Sequence, residues 1–131
     1  MELKLEIPLR LHLDVCEVDE HLPSMRVLVA AEVQQARHTL VYRGSLWFDC
    51  SSWDAFVSRL TCIEEEAAEL ADMGGHFVLR IGIESGTPQI SWKFESCDMT
   101  GKASMAACRS HIDADEFAHV RRQFTQFQRW W

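Results

Sequence analysis

The chain has 131 residues, a formal net charge of -7 and 47% hydrophobic residues, a composition that supports a buried core and excludes a disordered tail. Thirteen Lys and Arg against twenty Asp and Glu exclude the basic face that broad nucleic-acid binding needs. The three lysines and ten arginines are scattered, so no polybasic membrane patch forms, and no apolar run reaches the roughly 18 residues of a membrane-spanning helix. One domain over residues 1–131 is expected. The start, Met1-Glu2-Leu3-Lys4, has no signal-peptide core, so a cytoplasmic location is expected as well.

Leu3, Leu5, Ile7, Leu9, Leu11, Leu13 and Val15 occupy every odd position and charged or polar residues most even ones, which predicts one long strand from Leu3 to Val15 with a buried and a wet face. Pro8 lacks a donor and marks an edge or a bulge. A turn at His21 to Ser24 leads to strands over Arg26–Gln34 and Thr39–Phe48. Ser51-Ser52-Trp53-Asp54 then fits a capping box, and Trp53, Phe56, Val57, Leu60, Ile63, Ala67, Leu70 and Ala71 recur at three- and four-residue spacing. A helix over 52–72, stopped by Gly74-Gly75, is predicted. Three further strands follow, over Phe77–Ile83, Gln89–Ser96 and Ala103–His111. Asp113 to Glu116 opens a closing helix near 113–129, whose stripe of Phe117, Val120, Phe124, Phe127 and Trp131 faces the core. The predicted fold is α+β: a single antiparallel sheet of five or six strands with two helices packed on one face, in the order βββ-α-βββ-α.

The chemistry-bearing residues do not assemble into a known catalytic pattern. There is no G-x-S-x-G elbow or Gly-rich phosphate loop, and Ser110 and His111 are strand neighbours pointing to opposite faces. Cys108-x-x-His111 with Cys97 lacks a fourth ligand, and Glu116-x-x-His119 lacks the second copy a di-iron site requires. No catalytic residue, metal or cofactor is therefore expected, and the chain reads as a non-enzyme. The odd set Cys16, Cys50, Cys62, Cys97 and Cys108 has no C-x-x-C pair and reads as reduced thiols.

Partner contacts are the more productive reading. Glu64, Glu65, Glu66, Glu69 and Asp72 fall in the final turns of the predicted first helix, where the macrodipole disfavours acids and no Lys or Arg lies in the segment to relieve them. The cluster is either a solvated face or a surface kept for a basic partner. Trp53 and Trp92 are in phase with their elements' apolar positions and read as core. Trp47 and Trp130 are out of phase and read as aromatics available to a partner.

The run Leu46-Trp47-Phe48-Asp49-Cys50-Ser51-Ser52-Trp53-Asp54-Ala55-Phe56, then Leu60, Phe77-Val78-Leu79-Arg80-Ile81 and Trp92-Lys93-Phe94, resembles bacterial immunity proteins of the WapI-associated type. The family's glycine after the helix is matched by Gly74-Gly75, while its glycine-histidine step between later strands is replaced by Ser85-Gly86-Thr87-Pro88. The resemblance covers residues 25–131 in pattern. It implies a non-enzymatic protein that binds and neutralises a cognate, basic toxin domain. The alternative is a small interaction adaptor or a self-assembling structural subunit, and a homo-oligomer is compatible with either.

Overall fold

The computed structural model describes residues 1–131 and contains eight strands and two helices. In chain order these are β1 (Glu2–Leu5), β2 (Arg10–Asp19), β3 (Ser24–Gln35), β4 (His38–Asp49), α1 (Cys50–Arg59), β5 (Ala68–Ala71), β6 (Phe77–Glu84), β7 (Thr87–Cys97), β8 (Ala103–His111) and α2 (Ala114–Gln126). The strands form two separate four-stranded antiparallel sheets, β1-β2-β3-β4 and β5-β6-β7-β8. Each half is thus a meander followed by a helix. The expected single sheet of five or six strands, with both helices on one face, is corrected to this two-sheet arrangement: α1 packs on β4 and β5, and α2 lies against β1 and α1.

Two local features account for the difference. The alternating stretch from Leu3 to Val15 is a hairpin, in which Leu3 faces Leu13 and Leu5 faces Leu11. The chain reverses at residues 6–9, where the Ile7–Pro8 peptide is cis. Odd residues pair with odd residues across the turn, so the inward alternation continues through it and disguises the break. Exposed Ile7 is the one position out of step.

The helix expected over 52–72 ends at Arg59. Its last carbonyls are taken by tightened turns, with Thr61 and Cys62 N–H donating to Ser58 and Arg59, and the Thr61 hydroxyl donating back to Ser58 at 2.7 Å. Ala68 and Leu70, which fit a helical period, are the inward positions of β5. The helix also begins on a different cap. Asp49 occupies the N-cap position without a side-chain cap bond, so the capping box expected of Ser51 and Asp54 does not form. The closing helix does carry one, with Asp113 accepting from Glu116 N–H and the Glu116 carboxylate accepting from Asp113 N–H.

One hydrophobic cluster unites both halves. Tyr42 of β4 stacks on Phe94 at 4.5 Å and Phe77 at 5.8 Å, joining the inner faces of the two sheets. Trp53 and Phe56 of α1 meet Phe124 of α2 at 5.4 and 4.8 Å, and Phe127 closes on Trp53 at 4.7 Å. Trp53 and Trp92 are buried to 1% exposure. No helix is long and apolar enough to cross a membrane.

Candidate partner-binding surface

Shortening the first helix disperses the acidic cluster. Glu64, Glu65 and Glu66 lie exposed in the turns after α1, and Glu66 pairs with Arg59. Glu69 stands on the outer face of β5 and pairs with Arg80 of β6 at 3.3 Å. The relief that the segment itself lacks therefore comes from across the fold. Asp72 is 7% exposed, and its carboxylate accepts from the backbone N–H groups of Phe77 (2.7 Å), His76 (2.8 Å) and Gly74 (3.2 Å). These five acids are not a helical face. Asp72 in particular is spent on its own turn, where Gly75 supplies the positive φ of 71°.

That turn nevertheless meets another sequence-predicted residue. Met73 N–H donates to the Trp47 carbonyl at 2.7 Å, so the β5–β6 turn docks on the end of β4. Beside it, Cys50 N–H donates to the Pro23 carbonyl at 2.9 Å and holds the β2–β3 turn against the start of α1. The three segments enclose a shallow groove lined by Leu22, Trp47, Asp72 and Met73, with Asp19 and His76 at its margin. Leu22 is 68% and Met73 52% exposed, while Trp47 is half-buried.

Strand register sets the charge around this groove. Ser24 lies opposite both Asp19 of β2 and Asp49 of β4, and Arg26 lies opposite both Glu17 and Trp47. Trp47 and Asp49, two residues apart on β4, share the outward face. Arg26, the cation of this row, is already held by Glu17 at 2.9 Å and Ser45 at 3.2 Å. Asp19 accepts from His21 and Leu22 N–H and so rigidifies the turn that presents Leu22. The result is an aromatic and two exposed aliphatics on a hydrogen-bonded frame, with an acidic rim.

Trp130, the second aromatic singled out from sequence, is not on this surface. It packs partly buried on the core, edge-on to Trp131 at 5.7 Å, with its indole N–H enclosed and unpartnered. The C-terminus is clipped to α1: Trp131 Nε1–H donates to the Asp54 carboxylate at 3.0 Å, and Arg129 pairs with it at 2.9 Å. Leu22 and Met73 were not singled out from sequence, although each is an apolar residue stranded in a turn beside Pro23 or Gly74-Gly75, a signal that could have found them.

No group of three or more His, Cys, Asp or Glu side chains converges as a metal site, and Glu116 is occupied by its cap. The five cysteines stand apart as thiols. Burial pushes the Cys50 thiol up to about 11, with the charges of Asp54 and Asp49 adding to the effect. Compared with protein-family models, curated proteins and solved structures, the chain matches none.

Proposed function

We propose that this protein acts by binding another protein and that its partner is a basic toxin domain, which it neutralises without chemistry of its own. The observation that carries the reading is the groove at Trp47. An aromatic flanked by exposed Leu22 and Met73 has the make-up of an interaction hot spot, and the rim of Asp19 and Asp49 complements a basic surface. The net charge of -7 favours fast association with a cationic partner. The pattern resemblance to WapI-associated immunity proteins supplies the toxin as occupant, in preference to a general adaptor's partner.

The test is co-expression. The C-terminal domain of a secreted toxin encoded beside this gene is produced with and without the chain, and growth is scored. Growth arrest relieved by the wild-type protein, and not by a Leu22→Glu, Met73→Glu double variant, is the expected outcome. A harmless domain, or one equally toxic in the presence of this protein, would overturn the immunity reading.

A further inference from the structure

The four outer strands of the two sheets are not equally protected. β1 and β5 are only four residues long, and β4, though twelve residues long, carries Arg43 near its middle and is met by Met73 at its Trp47 end. β8 runs nine residues, Ala103–His111, contains no Pro or Lys, pairs with β7 without a register shift, and is covered by no helix. Apart from the charge of Arg109, such an edge lacks the devices that usually prevent strands from pairing between molecules.

Its free hydrogen-bonding groups can be assigned. Ile112 N–H donates to the Pro88 carbonyl and Asp98 N–H to the Lys102 carbonyl. With the register that places Trp92 opposite Cys108, the even-numbered residues of β8 exchange bonds with β7. Antiparallel alternation then turns the N–H and C=O groups of Ala103, Met105, Ala107, Arg109 and His111 outward.

This set is self-complementary. We propose that β8 pairs antiparallel with β8 of a second copy of this chain, with Ala107 facing Ala107 on a two-fold axis, joining the two copies of its sheet into one of eight strands. In this register Met105 faces Arg109 and Ala103 faces His111, so every outward backbone group finds a partner. Outer side chains stay on the outer face, and no like charges stand opposed. Arg109 makes no ion pair within its own chain, and Glu95, next to Met105 on β7, is paired with Lys93 of its own strand at 2.7 Å, so Arg109 would reach it as a second cation. In the pair, Arg109 of one copy stands two strand spacings, about 10 Å, from Glu95 of the other, a gap that the two long side chains can span. A contact limited to one strand belongs to the small class of interfaces, so the pairing should be weak and concentration-dependent.

The inference does not depend on the toxin reading, and sedimentation velocity of the isolated full chain over a wide concentration range tests it. Reversible dimerisation is expected. Met105→Lys, at a position 71% exposed, sets Lys opposite Arg109 twice per dimer and should weaken it about tenfold. Adding Arg109→Glu makes both pairs attractive and should restore it. Circular dichroism of each variant verifies folding. A chain that stays monomeric throughout, or a dimer indifferent to Met105→Lys, overturns the proposal. So does a monomer whose Met105→Lys variant loses toxin binding, since the edge would then accept the toxin's strand and not a second copy.

Discussion

Asp72 holds the turn between β5 and β6 by accepting three backbone N–H groups, one of them on buried Phe77. Replacing it by Ala leaves those donors without an acceptor, and the expected loss is about 3 kcal/mol, read as a lowered urea midpoint with an unchanged slope. A variant of wild-type stability would show that the turn needs no carboxylate. Cys50 yields a second expectation at this scale. With its thiol near 11, the reactive thiolate is scarce at neutral pH, so native labelling by iodoacetamide should spare Cys50 while exposed Cys16, Cys62 and Cys97 react. Rapid labelling of Cys50 in the folded chain would contradict its burial. Periodicity alone identified Trp53 and Trp92 as core residues. It could not reveal the roles of Asp72 or Asp54, because their partners are backbone groups of a turn and a tryptophan 77 residues away.

At the scale of elements, strands with strict alternation were legible, and β4, β6, β7, β8 and α2 fall within a few residues of expectation. The failures lie where two periods coincide. Ala67, Leu70 and Ala71 satisfy a helical spacing, yet Ala68 and Leu70 also satisfy a strand's, and tertiary pairing with Ile81 and Leu79 decides the matter. The hydrophobic stripe on α2 divides the same way between seam and tail. Phe124 is fully buried against Trp53 and Phe56, so Phe124→Ala should cost about 3–5 kcal/mol. Asp54→Ala removes only the clip on Arg129 and Trp131, a half-exposed contact. It should cost about 1 kcal/mol and should accelerate hydrogen exchange in residues 127–131 without changing that in α2. Equal losses for the two variants would mean that the tail, and not the seam, anchors the helix.

At the scale of the molecule, the two meanders were not separable in the sequence, since an apolar strand face does not announce which sheet it joins. The site was only partly legible: Trp47 stood out by phase, while its neighbours Leu22 and Met73 come from turns brought together by the Met73–Trp47 and Cys50–Pro23 hydrogen bonds. The central claim is that this assembled face, and not a local run of acids, meets the partner. Titration calorimetry of the purified toxin domain against wild-type protein and Trp47→Ala tests it most directly. The expected result is tight binding by the wild type and a loss of at least about 2 kcal/mol in the variant, as for a hot-spot aromatic, with the fold intact. An affinity unchanged by Trp47→Ala, in a toxin domain that the wild type does bind, would place the interface elsewhere.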